Sequence, residues 1–182
     1  MTFPLETTRL ILRYFKQTDL KPFVAYRNDK EVAKFQAWKF PYPEEDATQF
    51  IKGMADDLHF PGSWHQFALE LKATGEMIGD VAMRESTDYH RQHHIGYTLA
   101  RSHWGKGYAT EAVTRLLDYL FFELSAHRIV ADCDTDNISS FRLLERLGFR
   151  REAHFVESYW MGDYWGDEYY YGLLEREWKG KR

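Results

Sequence analysis

The sequence is poor in cysteine, in long apolar runs and in basic charge, and each shortage excludes a class of protein. Its one cysteine, Cys133, rules out an intrachain disulfide and fits a reducing compartment. No apolar run is long enough to cross a bilayer, and the first twelve residues carry Glu6 and Arg9 where a signal peptide would be apolar. The net charge of −4 argues against a nucleic-acid partner. We therefore expect a cytoplasmic protein with no nucleic-acid partner and no membrane partner.

The remaining composition is that of an ordinary globular chain. Charged residues make up 29% and hydrophobic residues 44%, and the absence of repeats and linkers predicts one domain, residues 1–182. Apolar alternation and helical periodicity predict, in order, strand 9–14, helix 19–27, loop 35–42, helix 43–58, strands 66–71 and 77–84, loop 86–93, strand 94–100, helix 109–124, strand 127–134, helix 138–147, and strands 152–160 and 168–174. Strands and helices do not alternate strictly, which predicts an α/β (α+β) layer protein with a mixed sheet.

The most informative stretch is WGKGYATEA at residues 104–112, between a predicted strand and the strongest predicted helix. Gly105 and Gly107 allow a tight turn and a close approach of the backbone to a ligand. The helix supplies unpaired N–H groups and the positive end of its dipole, so the turn predicts a phosphate or diphosphate site. Lys106 between the glycines does not fit a nucleotide P-loop, and Thr110 at the third glycine position does not fit a dinucleotide fingerprint.

Four segments in order resemble the GNAT superfamily of N-acetyltransferases, in the branch of the ribosomal-protein N-terminal acetyltransferases (RimJ/RimL type). The turn resembles the family loop Gln/Arg-x-x-Gly-x-Gly/Ala, with Trp104 in place of the usual first residue. Residues 6–13 resemble the opening strand of that branch, residues 137–149 its second coenzyme-binding segment, and residues 166–178 its final hairpin. The resemblance implies the GNAT fold, a mixed and mostly antiparallel central sheet with splayed fourth and fifth strands, flanked by helices.

The resemblance also implies acetyl-CoA as cosubstrate and assigns residues to it. The pantetheine arm is expected between the splayed strands, where it pairs with the backbone of the fourth strand at Tyr97 and Leu99. Asn137 and Phe141 are expected to complete the coenzyme site. The diphosphate is expected to meet the turn and the first helical residues, which are Trp104, Gly105, Lys106, Gly107, Tyr108, Ala109 and Thr110.

Two charged residues near the turn have alternative interpretations. Lys106 is either a phosphate contact or a solvated loop lysine. Glu111, in the first helical turn, is better explained by stabilisation of the helix dipole and the N-terminal N–H groups than by catalysis.

Acetyl transfer to an amine requires a neutral amine and a stabilised leaving thiolate, and five residues are candidates for this chemistry. The resemblance implies that Asn137 contacts the coenzyme or the acceptor and that Ser140 acts as an acid toward the thiolate, although both residues also suit a helix start. His94 is either a base suited to neutral pH or a strand-edge histidine. Glu70 either reaches the site or faces water, and Asp80 is a weaker candidate of the same kind.

No metal site is expected. The histidines within residues 90–94 have no second cluster of ligands, so a solvated loop explains them better than zinc. The aspartates within residues 132–136 open like a calcium loop, but Asn137 and Leu143 stand where that loop needs Gly and Glu.

We predict an acetyl-CoA-dependent N-acetyltransferase in which the amine acceptor attacks directly in a ternary complex. A protein or peptide N-terminus is the expected acceptor, because an α-amine has a pKa of about 8 and a lysine side chain about 10.4, so the neutral α-amine is easier to reach. Two other functions stay open. One is an acyl-CoA-binding sensor without transferase activity, and the other is a small-molecule acetyltransferase acting on aminoglycosides or polyamines. The sequence also leaves open whether the chain forms a homodimer.

Overall fold

The structure is a computed structural model that describes residues 3–54 and 61–181. Within these residues, eight strands form one sheet in the order β1-β2-β3-β4-β5-β6-β8-β7. The strands are β1 (Leu5–Glu6), β2 (Leu10–Arg13), β3 (His65–Leu71), β4 (Met77–Glu85), β5 (Gln92–Leu99), β6 (Arg128–Asp134), β7 (Arg150–Trp160) and β8 (Trp165–Leu174). The helices are α1 (Leu20–Arg27), α2 (Lys30–Ala33), α3 (Glu44–Gly53), α4 (Tyr108–Asp118), α5 (Ile138–Leu147) and α6 (Glu175–Lys179).

Neighbouring strands are antiparallel except β5 and β6, which pair in parallel. This parallel pairing joins residues 92–94 to residues 128–130, and beyond it the two strands separate. The predicted splay is therefore confirmed. It lies between the fifth and sixth strands because the short β1, which the sequence did not predict, precedes them. We call the space between residues 95–99 and residues 131–134 the gap.

Each face of the sheet is covered by its own helices. On the back face, the apolar stripes of α4 and α5 pack against alternate residues of the central strands, among them Ile95 and Ile129. On the front face, α1 and α3 pack against β3 and β4 through a second core that includes Phe23, Ile51 and Ala68. Side chains that alternate with Ile95 and Ile129 along β5 and β6 therefore point to the front.

Local sequence signals place the two helices that border the gap. The predicted helix 109–124 is α4 followed by a π-helical turn at Tyr119–Glu123. Asn137 caps α5 by accepting a hydrogen bond from the backbone N–H of Ser140 at 3.2 Å, and Gly148 ends it with a φ of +94°. Asn137 therefore suits the helix start as predicted, and the helix predicted over 138–147 ends at Gly148 because glycine tolerates the left-handed conformation that stops a helix.

Several predicted boundaries were wrong. The loop predicted at 86–93 ends earlier, because Gln92 and His93 already pair with β6. The final hairpin is longer than predicted, and α2 and α6 were not predicted. α3 ends at Gly53, and residues 55–58 of the helix predicted over 43–58 lie outside the described residues. Among the described residues, no helix is both long and apolar enough to span a membrane.

Candidate active site

The backbone of β5 turns hydrogen-bonding groups toward the gap. The N–H of Ala100, just beyond β5, donates to the carbonyl of Ile78 on the β4 side. In an antiparallel ladder, alternate residues point their N–H and C=O groups in opposite directions. Those of Ile95, Tyr97 and Leu99 therefore face away from β4 and into the gap. An open strand edge of this kind suits the amide groups of an extended ligand.

The glycine turn lies at the open end of the gap and has the conformation that only glycine adopts easily. Gly105 and Gly107 have φ values of +72° and +81°. Gly107 precedes the first turn of α4 without a side-chain cap, so the first N–H groups of the helix point into the turn. A Cβ on Gly105 would meet nothing within 4 Å, so that side of the turn is open. These residues fit the diphosphate group predicted for them.

Trp104 organises the connection between β5 and the turn. Its indole Nε1 donates to the carbonyl oxygen of Leu99 at 2.8 Å. This bond gives a reason for tryptophan at a position where the family pattern has Gln or Arg. Because the Leu99 carbonyl is already bonded to Trp104, the N–H of Leu99 is the group left for the backbone contact predicted at this residue.

The predicted diphosphate residues beyond the glycines belong to the first turn of α4 and are tied to their surroundings. The ring of Tyr108 lies under the guanidinium of Arg9, with 4.5 Å from Cζ to the ring centroid. Ala109 packs against the back core. Thr110 Oγ1 accepts from Arg146 Nη1 on α5 at 3.3 Å.

Tyr97 bridges the gap to the start of α5. Its hydroxyl lies 2.8 Å from Ser140 Oγ, and Asn137 accepts from the Ser140 N–H, so three predicted residues come together. The fourth, Phe141, packs edge-on against Tyr169 with ring centroids 6.0 Å apart. Burial raises the pKa of the Tyr97 hydroxyl, so it stays protonated at neutral pH.

His94 lies on the front face at the closed end of the gap. Its Nε2 is 2.5 Å from Asp132 Oδ1 on β6, and its Nδ1 is 3.3 Å from Arg84 Nη2 on β4. A guanidinium can only donate, so Nδ1 accepts and the Nε2 proton faces the carboxylate. Trp64 and Tyr170 lie against the ring, with centroids 5.1 and 6.4 Å away. The result is an imidazole oriented by a carboxylate, which is the arrangement of a general base.

Glu70, which the sequence analysis considered as a catalytic residue, does not lie beside the gap with His94 and Ser140. It lies on β3, with β4 between it and β5, and accepts from Arg13 Nε at 2.5 Å and Lys16 Nζ at 3.3 Å. Burial raises the pKa of Glu70, but the bonds from Arg13 and Lys16 outweigh it and hold the pKa below its usual range. Asp80 is buried and accepts from the Tyr26 hydroxyl at 2.5 Å. Both carboxylates are engaged in structural contacts.

Glu111 lies in the first turn of α4 as predicted, but its carboxylate is directed to the N-terminal segment. Oε1 accepts from Thr7 Oγ1 at 2.6 Å and from the backbone N–H of Arg9 at 2.8 Å. Arg9 was assigned no role within its motif by the sequence analysis, and Asp132 was not connected with His94. Among residues 3–54 and 61–181, no three His, Cys, Asp or Glu side chains are grouped to ligate a metal ion.

Comparisons with known proteins agree with this geometry. Residues 9–150 match the family model described as acetyltransferase (GNAT) domain. The chain is 33% identical over 174 residues to the uncharacterized N-acetyltransferase YnaD of Bacillus subtilis strain 168. This alignment covers 96% of this chain and 98% of that protein. It is 28% identical over 160 residues to the spermidine N(1)-acetyltransferase of Vibrio cholerae, and this alignment covers 88% of this chain and 90% of that protein. The crystal structure of a GNAT-family acetyltransferase from Bacillus anthracis has a TM-score of 0.86 at 30% identity, covering 96% of this chain and 100% of that one.

Proposed function

Because the chain belongs to the GNAT family of acetyltransferases and is an N-acetyltransferase, we propose that its acceptor is the α-amine of a basic protein or peptide N-terminus. This acceptor class corresponds to the RimJ/RimL-type branch that its four motifs resemble. GNAT acetyltransferases use acetyl-CoA, which supplies the activated acetyl thioester. The position of the glycine turn, at the N-terminus of α4 and at the open end of the gap, supports acetyl-CoA as the donor. The observation that carries the proposed acceptor is the acidic and aromatic surface of the β7–β8 hairpin described below.

The residues around the gap have separate tasks in this proposal. The N–H groups of the turn bind the diphosphate, and the gap-facing backbone of β5 binds the amides of the pantetheine arm. Ser140 holds a hydroxyl near the expected position of the sulfur. His94 Nδ1 takes the proton of the incoming ammonium group, after Arg84 moves aside or through a water molecule.

The state of the one cysteine supports direct attack by the amine. Cys133 is buried beside the gap, and burial raises the pKa of its thiol to about 11. The thiolate is the nucleophilic form of cysteine. At neutral pH the Cys133 thiol is therefore protonated and poorly suited to carry the acetyl group as a covalent intermediate.

The charge around His94 and Asp132 supports a cationic acceptor. Residues 129–141 contain three carboxylates and residues 153–174 contain four, and neither segment contains Lys or Arg. These acids are close enough in space to act together. Partial burial and the carboxylates of Asp134, Asp163 and Asp136 raise the pKa of Tyr164, and burial and Asp132 raise that of Glu168. This negative field attracts a positively charged chain.

Exposed aromatic rings lie beside these acids at the tip of the β7–β8 hairpin. Trp160 is 54% exposed and Trp165 is 56% exposed, and their ring centroids are 5.5 Å apart. Indole faces bind Lys and Arg side chains through cation–π contacts. An open surface that combines rings and carboxylates suits an extended basic peptide better than a small diffusible amine.

Neutralising two acids of this surface should weaken binding of a basic peptide. We expect the double variant Asp163→Asn with Glu168→Gln to raise KM for a Lys- and Arg-rich N-terminal peptide about three- to tenfold at low salt, because one exposed and one half-buried charge contact are lost. The matched control, Glu44→Gln with Glu45→Gln, makes the same change in net charge on α3. Initial rates in a thiol-release assay measure both variants.

The same assay separates the acceptor classes. An unchanged peptide KM in the hairpin variant contradicts the basic-peptide proposal. Faster turnover of spermidine than of any peptide would favour a polyamine acetyltransferase, the activity named for the Vibrio cholerae relative. Tight acetyl-CoA binding without turnover on peptides, polyamines or aminoglycosides would favour a sensor.

Removing the Ser140 hydroxyl should affect turnover more than coenzyme binding. We expect Ser140→Ala to lower kcat about tenfold to a hundredfold, because the leaving thiolate loses its nearest hydroxyl, while Kd for CoA changes less. Ser139→Ala is the matched control on the same helical turn. Asn137→Ala should behave like Ser140→Ala, with Asn137→Ser as the control that keeps the helix cap. Full turnover in both alanine variants would remove these residues from the reaction.

A further inference from the structure

The guanidinium of Arg9 extends from the N-terminal segment to the glycine turn, 97 residues from Lys106 in sequence. Its Nη1 donates to the carbonyl oxygen of Lys106 at 3.0 Å, and its Nε donates to Glu111 Oε2 at 2.6 Å. The ring of Tyr108 lies 4.5 Å from Cζ. A Cβ built on Gly107 would lie 3.4 Å from Arg9 Nη2, so the guanidinium lies close against this glycine.

Glu111 holds the Arg9 side chain in this position. Its carboxylate accepts from Thr7 Oγ1, from the Arg9 N–H and from Arg9 Nε. Partial burial raises the pKa of Glu111, but these bonds outweigh it and keep the pKa below its usual range. The carboxylate is therefore ionised at neutral pH. Arg9 is fixed by an ion pair, by a ring beneath it and by its own backbone.

The bond to Lys106 determines which way the next N–H group points. The peptide group between Lys106 and Gly107 is planar, and in the trans form its C=O and N–H point in opposite directions. With the carbonyl bonded to Arg9, the N–H of Gly107 points away from the guanidinium. This N–H is one of the donors that the proposed function assigns to the diphosphate.

We propose that Arg9 is a positioning residue for coenzyme binding: by holding the Lys106 carbonyl, it directs the Gly107 N–H toward the diphosphate. The inference rests on the proposed function, because it needs the diphosphate in the glycine turn. It assigns a task to the opening motif at residues 6–13, which the four-motif resemblance alone does not explain. It also joins that motif to the glycine turn through Glu111.

Arg9→Gln should weaken binding of the diphosphate-bearing coenzyme selectively. We expect Kd for CoA, measured by calorimetry, to rise about tenfold, the effect of one lost charge-assisted hydrogen bond. kcat/KM should fall about tenfold with acetyl-CoA but stay within about twofold with S-acetylpantetheine, which lacks the diphosphate. Glu111→Gln should have an effect of the same sign, and the double variant should bind CoA no more weakly than Arg9→Gln alone.

Arg115→Gln is the matched control, because it breaks an ion pair with Glu123 at the far end of the same helix. Equal losses with acetyl-CoA and S-acetylpantetheine would show a merely structural role and overturn the inference, as would an unchanged Kd for CoA. These results are distinguishable from failure of the proposed function. A different acceptor would leave the Arg9 result unchanged, whereas failure of the coenzyme assignment would show as no binding of CoA by the unaltered protein, and the inference would fall with it.

Discussion

Gly107→Val is expected to abolish measurable coenzyme binding, raising Kd for CoA at least about a hundredfold. Gly107 has a φ of +81°, and a β-branched residue in that left-handed conformation is strained by about 1–3 kcal/mol. A turn that relaxes from this conformation reorients the N–H groups facing the diphosphate. Each charge-assisted bond lost is worth about 1.5–3 kcal/mol, so two lost bonds exceed a hundredfold.

Gly75→Val is the matched control for this substitution. Gly75 has a φ of +70° in the turn between β3 and β4, and a Cβ there would meet nothing within 4 Å. We expect both variants to lose similar thermal stability, but only Gly107→Val to lose coenzyme binding. Calorimetric titration with CoA measures the difference. The same Kd in Gly107→Val and in the unaltered protein would remove the turn from the coenzyme site.

His94→Gln is expected to lower kcat/KM about a hundredfold or more while leaving Kd for CoA unchanged. The imidazole lies at the closed end of the gap, and loss of a positioned base has effects of this size. His90→Gln is the control, because His90 is an exposed histidine in the loop before β5. A kcat/KM within twofold of the unaltered protein in His94→Gln would exclude His94 as the base.

Asp132→Asn tests how the ring of His94 is held. We expect kcat/KM to fall about tenfold while Kd for CoA stays unchanged. The reason is that an amide can present either its oxygen or its NH2 group to Nε2, so the ring is held less firmly in the tautomer that leaves Nδ1 free to accept a proton. Arg84, Glu168 and Tyr170 also face His94 and stay in place in this variant. Unchanged kcat/KM in Asp132→Asn would show that Asp132 does not act through His94.

Local sequence patterns were sufficient where a short segment determines its own structure. The glycine turn, the α5 cap at Asn137 and the helix stop at Gly148 depend on residues within a few positions of one another. Each needs a side chain or a backbone conformation that few residue types can supply, and each lies beside the apolar stripe of a helix. For this reason the family, the fold and the position of the glycine turn before α4 could be predicted from the sequence.

Contacts between distant segments could not be predicted in the same way. The local pattern made Glu70 ambiguous, and only the folded structure shows that Arg13, 57 residues away, pairs with it. The pairing of Gln92 and His93 with β6 turned a polar segment, predicted to be a loop, into a strand. The partners of His94 and Arg9 lie on other elements, so their roles became visible only when the chain was folded.

The short parallel pairing between β5 and β6 also sets the length of the gap. Because the strands part after residues 94 and 130, the space beside β5 extends over residues 95–99. At about 3.3 Å per residue, that run measures roughly 13 Å. If the proposed coenzyme arm is anchored by its phosphates at the glycine turn, its other end would meet the paired backbone of β5 and β6. The length of the acyl group would then be limited by main-chain pairing, which the substitution of one side chain does not move.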